Sequence, residues 1–141
     1  MANYMNSDTK LLFNDYREYL ENLIKTLRFS NHEVLSAHEL EEWGAINPSS
    51  REAVKFDFEG INKSDAMVCY IGDKEKGFSS GVHLELGFAS ALKKRIIVLH
   101  NDKIEEIPYL IRGLDVYTEI VLLNMNDSIS IIGQLENWQT F

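Results

Sequence analysis

At 141 residues the chain is the size of one ordinary domain, long enough to bury roughly two-thirds of its extended surface without staples. Its 45% hydrophobic and 26% charged content is an ordinary globular balance, and a formal net charge of −8 argues against a nucleic-acid polymer as partner, since neutralising phosphates takes clustered Lys and Arg. The single cysteine, Cys69, sits in an apolar run and excludes an intramolecular disulfide; with no leader-like start and no apolar stretch near the roughly 18 residues of a membrane span, the expected location is the cytoplasm.

From Ser7 to about Leu27, Leu12, Tyr16, Tyr19, Leu20, Leu23, Ile24 and Leu27 recur at three- and four-residue steps with charged residues between them. This predicts a long amphipathic helix, with Ser7 as N-cap and Asp8 favourable in the first turn. Glu33–Ser36 reads as a short strand, and Ala37–Pro48, with Trp43, Gly44 and Pro48 but no period, as a loop. Ser49 and Glu52 have capping-box spacing and open a second helix to about Asn62.

Ala66–Ile71 is a continuous apolar strand candidate, followed by a polar loop over Gly72–Ser80 and a helix from Gly81 to Lys94. Arg95–His100 is the plainest buried strand. A short helix at Ile107–Gly113, a strand at Glu119–Leu123 and a final helix from Asp127 almost to Phe141 complete the chain. There are no repeats, linkers or low-complexity tracts, so residues 1–141 are expected to form a single domain.

Fully apolar strands alternating with helices predict a flavodoxin-like (Rossmann-like), doubly wound α/β sandwich, its parallel sheet covered by helices on both faces. Ligands in such sheets sit beyond the carboxyl ends of the strands, here the loops after Ile71 and His100. The usual first strand is short or missing: either Ala2–Met5 is its stub or the chain lacks it.

Glu85 draws notice because it falls on the apolar side of its helix, where a carboxylate is costly unless it is paired or used. An edge glutamate reaching solvent is the plain alternative. Ser79, Ser80 and Gly81 place hydroxyls and backbone N–H groups at the positive end of that helix, a pattern shared by anion sites and ordinary caps. Asp57, taken alone, reads as a solvated helix residue, and Asp65 as a turn residue. His38, Glu39, Glu41, Glu42 and Trp43 share the Ala37–Pro48 loop; His38 or Trp43 is a candidate base contact, Trp43 equally a packing residue. No His, Cys, Asp or Glu spacing resembles a metal-ligand set, and mid-strand burial argues against catalysis by Cys69.

The pattern Asp57-x-x-x-Ile61-x-x-Ser64-Asp65, then an apolar strand, then Ser79-x-Gly81-x-x-x-Glu85-Leu86-Gly87-x-Ala89 and Lys93-x-x-Ile96-Ile97-x-Leu99, resembles the nucleoside 2-deoxyribosyltransferase superfamily over about Val34 to Gly113. Leu110-Ile111-Arg112-Gly113 is most similar to its nucleotide N-hydrolase branch, which includes deoxynucleoside 5′-monophosphate and cytidine monophosphate hydrolases. The resemblance implies Glu85 acting at the anomeric carbon and Asp57 beside the sugar and base. It also implies Ser79 and Gly81, with Ser80, at a 5′-phosphate, no cofactor, a nucleoside or nucleotide as small-molecule partner, and a homodimer or larger homo-oligomer.

There are three departures from that pattern, of which the first two weaken a monophosphate assignment while the third offers either replacement charge or plain solvated loop lysines. No glycine-rich loop precedes Ser7, Pro108 occupies the position of a serine that reaches the phosphate from a neighbouring subunit, and the longer Gly72–Phe78 loop carries Lys74 and Lys76. Two functions are therefore expected in competition. One is cleavage of an N-glycosidic bond, by hydrolysis or by transfer of the sugar to another base. The other is a non-catalytic nucleotide sensor on the same fold.

Overall fold

The computed structural model describes residues 10–75, 77–125 and 133–134, with side chains described from residue 17 onward. The long N-terminal helix is α1, Lys10–Phe29, two residues longer at its C-terminal end than Leu27 suggested. Asn31, at φ 65°, turns the chain out of it. The expected N-cap Ser7, the stub Ala2–Met5, Lys76, and all of the final helix except Gly133 and Gln134 lie outside the described residues.

Two expectations between Glu33 and Pro48 are corrected. Glu33–Ser36 is not a strand; Ser36 instead caps a short helix, α2, Ala37–Leu40, its hydroxyl accepting from the Glu39 amide. The stretch expected to be a structureless loop thus holds α2 and a 3-10 turn at Glu42–Gly44. A strand needs a neighbour to take its backbone hydrogen bonds, and serine's side chain here offers the chain a helix start instead.

The capping box forms as the spacing predicts. The Ser49 hydroxyl accepts from the Glu52 amide, and the Glu52 carboxylate accepts from the Ser49 amide, opening α3, Ser50–Lys63. Strand β1 follows at Ala66–Tyr70. The polar loop beyond it is a small antiparallel hairpin of β2, Gly72–Asp73, and β3, Gly77–Phe78. Helix α4, Ser80–Ala91, then leads to β4, Arg95–His100, to the short α5, Tyr109–Arg112, and to β5, Ile120–Asn124.

The main sheet has the order β1-β4-β5, with both pairs parallel, Cys69 opposite Val98 and Ile97 opposite Val121. Side chains alternate across it. Met67, Cys69, Ile96 and Val98 meet Ile61 of α3, Val82, Leu86 and Ala89 of α4, and Ile107 and Ile111. Val68, Ile97 and Leu99 point the other way onto Leu20, Leu23, Ile24 and Leu27 of α1. Both faces are covered, which is why the strands read as unbroken apolar runs, and the architecture is the doubly wound sandwich expected. No helix among the described residues is long and apolar enough to cross a membrane.

The hairpin matters because it returns the chain to the carboxyl end of β1. The Ser79 amide bonds the Ile71 carbonyl at 3.0 Å, so α4 begins where β1 ends. Gly72 makes the turn at φ 89°, and a Cβ there would lie 2.6 Å from the Gly77 carbonyl oxygen. Gly77 shares the left-handed backbone at φ 99° but has open space around it. Gly72→Ala is therefore expected to cost more than Gly77→Ala, about 3 kcal/mol against about 1. Equal losses in urea denaturation would show that backbone conformation alone, without the close approach, sets the hairpin.

Candidate active site

Helix α4 places Glu85 toward the core. Val82, Leu86 and Ala89 are packed on the sheet, and a carboxylate between them cannot turn outward without unpacking the helix. Glu85 is only 5% exposed. Asp57 approaches it from α3, and the two helices are locked side by side. Phe58 and Phe88, the neighbours of Asp57 and Ala89, stack with ring centroids 4.3 Å apart and planes at 17°. Lys94 Nζ also donates to the Asn62 carbonyl at 3.0 Å, tying the far ends together.

The Asp57 and Glu85 carboxyl groups hydrogen-bond one another, which requires that the pair hold a proton. Burial first, then the Asp57 charge, pushes Glu85 up to about 8 from the ordinary 4.5. Burial also raises Asp57, with its bond to Glu85 acting in the opposite direction. The proton belongs to the pair rather than to either residue. No N–H or hydroxyl reaches Glu85 Oε2, leaving a buried acceptor without a donor from the described chain. Burial raises the Cys69 thiol well above its usual value, and Glu85 adds to that, so the cysteine is an inert wall of the site.

Ser79 is buried at the start of α4. Its hydroxyl accepts from the Val82 amide at 3.2 Å, and its carbonyl lies 2.6 Å from His83 Nδ1. With those groups engaged, the amides of Ser80 and Gly81 remain as the donors at the positive end of the helix dipole. Glu85 lies five residues further on, about 7.5 Å along the axis. Ser79, Ser80 and Gly81 are thus brought to the same end of the sheet as the carboxyl pair.

The other expected contributors are placed differently. Lys74 does not stand as free charge: its ammonium pairs with Glu106 at 3.3 Å and its amide bonds Asp102 at 2.8 Å. His38 is buried and stacks on Trp43, centroids 5.5 Å apart and planes 6° from parallel. The Arg17 guanidinium lies 5.0 Å over the Trp43 ring. Glu41, on the same segment, is raised first by burial and then by the charge of Asp57. Periodicity carried no sign of Glu41, because α2 and the turn that aim it have no apolar repeat. Among the described residues no group of three or more His, Cys, Asp or Glu is arranged to hold a metal ion.

A parallel α/β sandwich with a proton-sharing carboxyl pair beside a helix start defines the class of protein to compare. The family profile described as nucleoside 2-deoxyribosyltransferase matches residues 8–125, and the chain belongs to that family. The Clostridium botulinum CMP N-glycosidase BcmB is similar in structure, with TM-score 0.70 and 24% identity over 98% of this chain and all of that one. The solution structure of BlsM is similar with TM-score 0.62 and 28% identity over 99% of this chain and 86% of that one. No curated protein sequence matches the chain.

The pair has a thermodynamic consequence that can be measured. Between pH 4.5 and about 8 the folded chain holds a proton on Glu85 that the unfolded chain releases. Stability therefore falls as pH rises through that window and levels above it. Glu85→Gln keeps shape and hydrogen bonding but removes the ionisation, so it is expected to stabilise the chain by roughly 4 kcal/mol at pH 8 and negligibly at pH 4. Denaturation of both chains across that range checks this; a difference that does not change with pH overturns the assignment of the buried proton.

Proposed function

We propose that the chain cleaves the N-glycosidic bond of a nucleoside or nucleoside 5′-monophosphate, with Asp57 and Glu85 as its catalytic pair. The observation that carries this reading is the buried Glu85 carboxyl in the first turns of α4, raised by burial and by the half-buried Asp57 carboxyl that faces it from α3. Breaking the bond leaves positive charge at the anomeric carbon and sends an electron pair to the base nitrogen. The first wants a carboxylate, the second a proton, and a singly protonated pair supplies both.

Glu85 attacks or stabilises the anomeric carbon through a bare oxygen, and the proton of the pair passes to the departing base, with Asp57 sharing in that transfer. Water then adds to the sugar carbon and returns a proton to the pair; with a second base as acceptor, transfer replaces hydrolysis. The family and the similarity in structure to a CMP N-glycosidase support glycosidic-bond chemistry.

Ser79, with the Ser80 and Gly81 amides, takes the 5′-phosphate where one is present, since helix starts hold anions through backbone donors and dipole. Of His38 and Trp43, the half-buried Trp43 is the proposed base contact, since His38 is buried against it. A second copy covers the exposed Tyr109, Leu110, Val116 and Tyr117 beside Pro108, giving a homo-oligomer. The lone buried thiol agrees with a cytoplasmic setting.

Incubation with a panel of nucleosides and 5′-monophosphates, followed by chromatography for free base, tests the proposal. Base release is expected in the wild type, and a loss of at least about 1,000-fold in Glu85→Gln and Glu85→Ala. Saturable binding without release selects the sensor instead. The rate is expected to fall tenfold per pH unit once pH exceeds about 8, because the pair then loses its proton. A rate still rising at pH 10 would remove the shared proton from the mechanism.

A further inference from the structure

Ser79 is fixed at each of its polar groups. Its amide donates to the Ile71 carbonyl at 3.0 Å, and its hydroxyl accepts from the Val82 amide at 3.2 Å. Its carbonyl is held by the half-buried His83, whose ring Nδ1 lies 2.6 Å away. The His83 backbone amide, the ordinary helical donor to that oxygen, stands off at 3.4 Å. That is longer than the usual range of about 2.7 to 3.2 Å, so the side chain rather than the helix ladder is the main partner of this carbonyl. A carbonyl oxygen can only accept, which puts a proton on Nδ1.

The consequence falls on the next peptide unit. No peptide bond among the described residues is cis, and in a trans unit the carbonyl and the N–H share a plane and point opposite ways. Turning the Ser79 carbonyl down the helix toward His83 therefore turns the Ser80 N–H out of its open end, where Ser80 is exposed. Helix α4 carries no lysine or arginine, so an anion there depends on backbone donors and on their direction. An independent observation calls for a ligand at this end of α4: Glu85 is 5% exposed, and its Oε2 meets no donor.

We propose that His83 is a positioning residue for the 5′-phosphate: by holding the Ser79 carbonyl it aims the Ser80 amide at the anion, and so sets the preference for a nucleoside 5′-monophosphate over the nucleoside. The assignment rests on the phosphate reading of the α4 start made above. His83 acts through Ser79 and not on the reacting atoms. Without the ring, the carbonyl falls back on the long bond from the His83 amide, and the Ser80 N–H loses its fixed direction. A charge-assisted bond depends on that direction, since hydrogen bonds weaken steeply when bent.

The test sets His83→Leu and His83→Phe, which have no donor, against His83→Asn, whose Nδ2 can take the place of the ring Nδ1. Helix propensity ranks Leu above His and Asn, so an effect that only followed the stability of α4 would favour the leucine chain. Kinetic constants for base release are measured on cytidine and its 5′-monophosphate, and on deoxyadenosine and its 5′-monophosphate. Calorimetry follows binding of the same four compounds to the Glu85→Gln chain with and without each His83 change, and urea denaturation records folding. For whichever base is accepted, the donor-free variants are expected to raise KM and Kd for the monophosphate about 10-fold, the loss lying in KM rather than kcat. The monophosphate-to-nucleoside ratio of kcat/KM falls with it, whereas His83→Asn is expected to hold that ratio within about threefold of the wild type.

An equal loss on nucleoside and monophosphate, or a loss in His83→Asn as large as in His83→Leu, overturns the assignment and leaves His83 a packing residue of α4. A wild type that releases base without preferring the monophosphate overturns it too, and leaves the cleavage reading standing. Monophosphate binding that depends on the His83 donor, without base release in the wild type, defeats the cleavage reading and leaves this one standing. No binding and no release of any of the four defeats both.

Discussion

The bond between two carboxyl groups on adjacent helices is the constraint around which the rest of the site is arranged. It cannot exist without a proton, and it cannot exist in water, where each group would ionise alone. Its presence therefore depends on the packing that keeps water out: α4 pressed on β1 and β4 through Val82, Leu86 and Ala89, and α3 pressed on α4 through Phe58 and Phe88. The fold spends stability to hold Glu85 where it is. A leucine at that position would satisfy the packing without penalty, so the carboxyl is not explained by the core it sits in.

The sheet was legible in the sequence wherever burial on both faces left an unbroken apolar run. Met67-Val68-Cys69 and Ile96-Ile97-Val98-Leu99 could not be helix surface, and the alternation between the two core clusters confirms that both sides of each strand are covered. Ser49 and Glu52 were legible for a different reason, since a capping box is complete within four residues and needs no tertiary partner. Glu33–Ser36 misled because strand propensity has no meaning without a pairing edge, and Ser36 found a local alternative. The partner of Lys74 was not legible, since the Glu106 that pairs with its exposed ammonium lies 32 residues away in sequence.

Of the candidate site, Glu85 stood out through a local conflict between a charge and an apolar helix face. Asp57 did not, because its meaning comes from a neighbour on another helix, and alone it reads as a solvated side chain. The resemblance to a family supplied that pairing, and the geometry joins the two groups. Glu41 had neither a local conflict nor a motif. It stands beside left-handed backbone at Glu42 and Trp43, a conformation that sequence patterns do not announce for residues other than glycine and asparagine.

The shared proton also bears on how an acidic protein can take an anionic substrate. A phosphate at the start of α4 would lie about 7.5 Å along the helix axis from Glu85. At an effective dielectric near 20, each unit of carboxylate charge then repels each unit of phosphate charge by about 2 kcal/mol. Two ionised carboxyls facing a phosphate would thus oppose binding by more than one helix dipole contributes, which is at most about 2 kcal/mol. Holding one proton on the pair halves the repulsion and brings it closer to what the helix start supplies. The proton that the departing base needs is the same one that lets the phosphate approach, so binding and chemistry in this site draw on a single ionisation.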